Sequence, residues 1–132
     1  MILVFDTSAL SRFLDDDQGI LQAVANKDFD RYVVPLATDA EARFGFMHGS
    51  RQAGNLTKYA HILQSLSFEV VFPDQDTSYR YAELAIWARQ HGISLSNNDI
   101  WIAATCSQLG GRLITLDADF KHLSQIPLVD LG

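Results

Sequence analysis

A single cysteine, Cys106, leaves no partner for an internal disulfide, and such sparing use of sulfur fits a reducing cytoplasm. Long apolar runs are absent as well: none approaches the roughly 20 residues that a membrane-spanning helix needs. No basic segment precedes an apolar one at the start of the chain, so no secretory signal is expected. Positive charge is scarce. Ten Lys and Arg stand against sixteen Asp and Glu, a net charge of -6, which argues against broad, non-specific nucleic-acid binding. It leaves open nucleic acid at a metal centre, where bound cations reverse the local sign. The four histidines, His48, His61, His91 and His122, are dispersed and offer no short-range pair for zinc. Three scattered prolines, no repeat and no low-complexity tract leave no linker. Residues 1–132 therefore read as one domain, large enough to bury roughly two-thirds of the surface of its unfolded chain.

What the chain does contain is organised around its first ten residues, Met1-Ile2-Leu3-Val4-Phe5-Asp6-Thr7-Ser8-Ala9-Leu10. The unbroken apolar run Ile2 to Phe5 reads as a strand buried on both faces, as in a parallel sheet covered by helices. It stops at Asp6, at the carboxyl end of a strand, where the ligand crevice of an open α/β sheet lies. Asp6, Thr7 and Ser8 are also favoured helix caps, so a purely structural role competes with a chemical one. A helix to about Leu14 follows, then Asp15-Asp16-Asp17, read as a solvated turn or a helix start rather than a metal site. Ile20, Leu21, Val24 and Ala25 mark a short amphipathic helix, and Arg31 to Pro35 a second strand.

Thr38 and Glu41 have the spacing of a capping box for the next helix, and Asp39 lies on a different face from Glu41. That helix is expected to run past His48 and Arg51 to about Ala53, with Gly54-Asn55 breaking it. A second helix over Leu56 to Leu66 would complete a hairpin projecting from the sheet. Phe68 to Phe72 reads as a third strand and Asp76 to His91 as a long helix ended by Gly92, with Tyr79, Ala82, Leu84, Ala85, Ile86 and Ala88 buried to varying degrees. Asn97 or Asn98 is placed to cap a helix rich in alanine, with Asp99 in its first turn, where the dipole favours an anion. Cys106 falls on the apolar side of that helix. Gly110-Gly111 ends it, Arg112 to Leu116 forms a fourth strand ending at Asp117-Ala118-Asp119, and Leu128-Val129 a last one.

Two strands thus end at carboxylates and two helices begin with them. If the βα units are parallel, Asp6, Glu41, Asp99 and Asp117 share one edge of the sheet. One like-charge pair about 4 Å apart costs roughly 4 kcal/mol at an effective dielectric of 20. Either their pKa values rise or a hard divalent cation compensates them. Oxygen-only donors suit Mg2+ or Mn2+, which can generate a nucleophilic water and hold a phosphodiester for in-line attack.

Asp-Thr-Ser at 6–8, Glu-Ala-Arg-Phe-Gly at 41–45, Asn-Asp-Ile-Trp-Ile-Ala-Ala at 98–104 and Thr-Leu-Asp-Ala-Asp-Phe at 115–120 resemble the motifs of the PIN domain family. Their order and length are most similar to the VapC toxins of bacterial type II toxin–antitoxin pairs, over essentially the whole chain. The resemblance implies a three-layer α/β/α fold with a central parallel sheet in the order 3-2-1-4-5. It also implies a metal-dependent endoribonuclease, cutting tRNA, rRNA or mRNA, dimeric, and neutralised by a VapB-like antitoxin. Carried over residue by residue, Asp6, Glu41, Asp99 and Asp117 match the family's acidic quartet. Asp6 and Asp99 would be direct ligands of Mg2+ or Mn2+, with Asp117 and Glu41 completing the cage, orienting water or holding a second ion. Thr7 or Ser8 would orient Asp6 or touch a phosphate, and Asp119 rivals Asp117. Ala42 stands where the family commonly has leucine. Arg12, Arg43, Arg51 and Lys58 are the candidate RNA contacts.

Other readings fit less well. A receiver-like site needs a second acid beside the first, and position 7 is Thr7. A phosphatase of the haloacid dehalogenase type needs Asp-x-Asp, and position 8 is Ser8. A PIN-like nuclease outside any toxin–antitoxin pair, or a non-catalytic interaction domain whose acids are caps and surface charge, remain the alternatives.

Overall fold

The structure, a computed structural model, describes residues 1–49 and 53–131, so Arg51 and the expected helical stretch to Ala53 lie largely outside the described residues. At the centre is β1 (Ile2–Phe5), whose Leu3, Val4 and Phe5 are completely buried. It pairs in parallel with β2 (Arg31–Pro35) on one side, and β2 pairs in parallel with β3 (Phe68–Val71). On the other side β1 pairs in parallel with β4 (Arg112–Ile114), giving the order β3-β2-β1-β4. The strand expected at Leu128-Val129 lies where it was placed, beside β4. It is reduced to one parallel bridge between Leu113 and Leu128, with Leu113 N donating to Pro127 O and Val129 N to Leu113 O, both at 2.9 Å.

Alternation along β1 divides the apolar interior in two. Leu3 and Phe5 face a cluster with Leu10 and Leu14 of α1 (Thr7–Leu14), Ile20 and Val24 of α2 (Gln18–Val24), Phe46 of α3 (Leu36–His48) and Tyr59 of α4 (Ala53–Ile62). Val4 faces a second cluster with Leu84 of α5 (Gln75–Gln90) and Ile102, Ala103 and Cys106 of α6 (Asn97–Leu109). The result is the three-layer α/β/α arrangement expected of alternating βα units. Among the described residues, no helix is long and apolar enough to cross a membrane.

The acidic triplet is a turn. Asp15 closes α1, Asp16 takes a positive φ of 60°, and Asp17 caps α2 by accepting from Ile20 N at 3.1 Å. Several local expectations are corrected. No capping box forms at Thr38 and Glu41: α3 starts directly after β2 with Pro35 as its cap residue, and the Thr38 hydroxyl donates to the Phe5 carbonyl at 2.8 Å. Gly54 and Asn55 sit inside α4 rather than breaking a helix. Ser96, not Asn97 or Asn98, caps α6 by accepting from Asp99 N at 3.1 Å. On α5, Leu84 and Ala88 are buried, whereas Tyr79 and Ile86 are left on the outer face. The α3–α4 pair does not stand free, because α4 is tied to α1: Asn55 donates to Asp15 and Lys58 to the Leu14 carbonyl, both at 2.7 Å.

The chain leaves α6 through Gly110, at a left-handed φ of 64°, and Gly111, which lies against β1. Cys106 donates its S–H to the Gly111 carbonyl at 3.3 Å, and burial pushes the thiol up to about 12, which makes it an inert core group. A Cβ on Gly111 would meet Val4 Cγ2 at 2.9 Å and the Ile2 carbonyl at 3.1 Å. Gly111→Ala is therefore expected to lower stability by about 1–3 kcal/mol, seen as a lower urea midpoint. Gly54→Ala, in a helix with nothing within 4 Å of the added methyl, should instead raise it by up to about 1 kcal/mol.

Candidate active site

Asp6 follows directly on β1 with only 3% of its surface exposed. Its Oδ1 accepts from Ala9 N and from Ser8 Oγ, each at 2.8 Å, and its Oδ2 accepts from the Thr115 hydroxyl. The cap is thus real, and it is also what orients the carboxylate. Three of roughly four lone-pair positions are filled, and the remaining one is on Oδ2. Burial pushes the pKa of Asp6 up, against the pull of these three hydrogen bonds, and the charge of Asp99 adds to the rise.

Two hydroxyls fasten Asp6 to the loop after β4. Thr115 Oγ1 donates to Asp6 and accepts from Asp117 N at 2.9 Å. Ser8 Oγ donates to Asp6 and accepts from Leu116 N at 3.1 Å. Each hydroxyl has its one proton committed to the carboxylate because a backbone N–H occupies its acceptor side. This pair of bridges also explains why β4 ends at Ile114, two residues earlier than the sequence pattern implies.

Glu41, in the second turn of α3, accepts from the Thr7 hydroxyl at 2.7 Å. Asp39 turns the other way: it accepts from Tyr59 Oη at 2.8 Å and from Arg43 Nε at 3.0 and 3.1 Å, with the guanidinium 5.3 Å from the Tyr59 ring centroid. Burial, followed by the hydrogen bond to Asp39, pushes the Tyr59 phenol above its ordinary range. Of the two acids on α3, Glu41 is the one directed toward Asp6's end of the sheet.

Asp99, in the first turn of α6, is the electrostatic hub. Burial pushes its pKa up, hydrogen bonds to Ser96 oppose the rise, and the charges of Asp117 and Glu41 push it further. Asp99 in turn acts on Asp6. Asp99 is therefore within electrostatic reach of the other three acids, although the four come from the end of β1, α3, α6 and the loop after β4. Asp117 caps a short 3-10 helix, Ala118–His122, by accepting from Asp119 N at 2.9 Å. Asp119 itself is exposed and faces a cleft shared with His91 and His122.

Of the basic residues named from the sequence, Arg51 lies outside the described residues and the other three are engaged within the chain. Arg12 pairs with Asp17 at 3.5 Å, Arg43 with Asp39, and Lys58 with Asp16 at 2.8 Å. Sequence reasoning missed Thr38, Thr115 and Ser96 as supports of the site. Thr115, two residues before Asp117, carried the only legible signal, since hydroxyls bond backbone N–H groups two residues on.

All four carboxylates offer hard oxygen donors, and their mutual repulsion is of the kind a divalent cation relieves. In donor chemistry they fit Mg2+ or Mn2+. Among the described residues no three acids or histidines stand close enough to close around one ion, so binding would require side chains to turn inward.

The sequence pattern of the PIN domain matches residues 3–126, and the chain belongs to the PIN domain family. It is 28% identical over 102 residues to Ribonuclease VapC5 of Mycobacterium tuberculosis, spanning 77% of this chain and 76% of that one. It is similar to the crystal structure of VapBC-5, a member of the VapBC family of toxin–antitoxin systems from the same organism, with 26% identity, a TM-score of 0.76 and 97% of each chain covered. DNA-bound VapBC from Salmonella typhimurium shares the fold at 16% identity, with a TM-score of 0.85 over 100% of this chain and 99% of that one.

A raised pKa means that the native state holds its proton more tightly than the unfolded chain. For Asp6 the resulting destabilisation is absent below the unfolded value of about 4 and complete above the native pKa. Asp6→Asn should therefore raise the melting temperature of the metal-free protein at pH 7, by about 4 °C for each kcal/mol relieved. The gain should shrink toward zero as the pH falls below about 4, which thermal unfolding in a pH series would show.

Proposed function

We propose that this protein is a metal-dependent endoribonuclease that acts as the toxin of a VapBC-type toxin–antitoxin pair in the cytoplasm. The observation that carries the reading is the coupling of Asp99 to Glu41, Asp117 and Asp6, four acids supplied by four separate segments. Relatives described as a ribonuclease and as toxin–antitoxin complexes support it. Asp6, Asp99 and Asp117 would hold Mg2+ or Mn2+, with Glu41 beside them to complete the cage or orient water. When bound, the ion supplies charge neutralisation and a water of lowered pKa for hydrolysis of an RNA phosphodiester. Ser8 and Thr115 hold Asp6 in one rotamer, and Thr7 holds Glu41, so the acids are aimed before substrate arrives. Asp117 is favoured over Asp119 because its charge is among those that act on Asp99.

The substrate is RNA, of the tRNA, rRNA or mRNA class. The partner is a VapB-like antitoxin that places a guanidinium among the acids, since Arg pairs bidentately with carboxylates. A homodimer is part of the same reading. Phe44, Met47 and Phe72 are large apolar side chains left exposed, as expected of surfaces that a partner covers.

Purified protein incubated with total tRNA and rRNA should release discrete fragments in Mg2+ or Mn2+ and none in EDTA. Asp6→Asn and Asp99→Asn should each cut at least about 100-fold more slowly, roughly 2.7 kcal/mol of barrier. Cleavage by either variant at the wild-type rate would refute the reading. Fragments that persist in EDTA would remove the metal from it.

A further inference from the structure

An acidic protein that takes RNA must present positive charge where the polyanion meets the site. Among the described residues, the amino terminus and the side chains of Arg12, Arg31, Arg43, Lys58 and Arg80 are all in ion pairs. Lys27, Arg89, Arg112 and Lys121 make none and have no side-chain hydrogen bond. One of these four shares a cleft with an acid of the site. Lys121, exposed on the 3-10 helix that Asp117 caps, lines an open cleft of about 390 Å³ together with Thr115, Asp117, Val129 and Asp130.

We propose that this cleft seats an RNA backbone phosphate neighbouring the one that is cut, with Lys121 as its counter-charge. The inference rests on the ribonuclease reading above and names where the substrate strand leaves the acids. Three observations carry it. The cleft is continuous with the site through Thr115, which bonds Asp6, and through Asp117. Among the described residues that line it, Lys121 is the cation, set on the same wall as the acid Asp117. The ammonium breaks no existing pair in order to bind, and a compact charge on a flexible stem suits a single phosphate oxygen. The volume is within the range of ligand clefts.

The test compares wild type with Lys121→Gln, Lys121→Arg and Lys27→Gln in steady-state cleavage of tRNA and in tRNA binding at several salt concentrations. Lys27 is the control because it lies near the amino-terminal end of β1, away from the carboxyl end that carries Asp6: the carbonyl of its neighbour Asp28 accepts from the Met1 amino group at 2.8 Å. Lys121→Gln should raise KM about tenfold with kcat little changed, as loss of one charge-assisted contact implies. It should also flatten the dependence of log K on log salt by about 0.7, the share of one single-strand phosphate contact. Lys121→Arg should restore both, and Lys27→Gln should match wild type. A Lys121→Gln enzyme with wild-type KM and salt slope, or one that loses kcat alone, overturns the inference and leaves the nuclease reading standing. Failure of the wild-type protein to cleave RNA would overturn both.

Discussion

A carboxylate buried at the end of the central strand is the constraint on which the rest of this structure depends. Asp6 emerges from β1 nearly without solvent, and an ionised group in that position must be hydrogen-bonded or it would not stay charged. Each donor that meets it comes with a structural consequence. Ala9 N and Ser8 Oγ start α1, and Thr115 Oγ1 ends β4. One residue earlier, the Phe5 carbonyl accepts from Thr38 and so sets α3, with its Glu41, against the same strand end. The fold and the candidate site are thus built from one set of hydrogen bonds.

The acids are held apart by construction as much as they are brought together. Hydroxyls fill lone pairs of Asp6 and Glu41, and backbone N–H groups of loops and caps fill others. Asp39 is a fifth acid close in sequence to Glu41, and its carboxylate is engaged instead by Tyr59 and Arg43. Burial pushes up the pKa values of Asp6 and Asp99, and the charges of neighbouring acids add to the rise, so these are the carboxylates a nearby cation would relieve most.

The parallel order of the strands is legible because apolar runs of β-branched residues have few other homes: Ile2 to Phe5 and Arg31 to Pro35 match the expected bounds, and the strand expected over Phe68 to Phe72 ends one residue earlier, at Val71. The place of the four acids followed from strand ends and helix starts. Contacts that depend on three-dimensional closure were not legible. Thr38 looked like a cap because its spacing to Glu41 is a local signal, whereas its true acceptor, Phe5 O, is 33 residues away. Tyr59 gave no sign of reaching Asp39 across a 20-residue gap. Gly54 was misread as a break because glycine weakens helices on average, while packing of Tyr59 into the core holds α4 regardless. Tyr79 and Ile86 are expected to be partly buried because apolar residues on a helix usually are; on α5 the buried apolar stripe is narrower, carried by Leu84 and Ala88.

The sheet separates the apolar interior into two compartments, and the acids are divided between them. Glu41 rides on a helix whose Ala42 and Phe46 belong to the first compartment, and Asp99 on one whose Ile100, Ile102 and Ala103 belong to the second. Asp6 lies on the seam. Loosening of either half on warming would shift one pair of oxygens relative to the other before the chain as a whole came apart. A site so divided would lose its alignment at temperatures where the backbone is still folded, and it would regain it on cooling without having to refold.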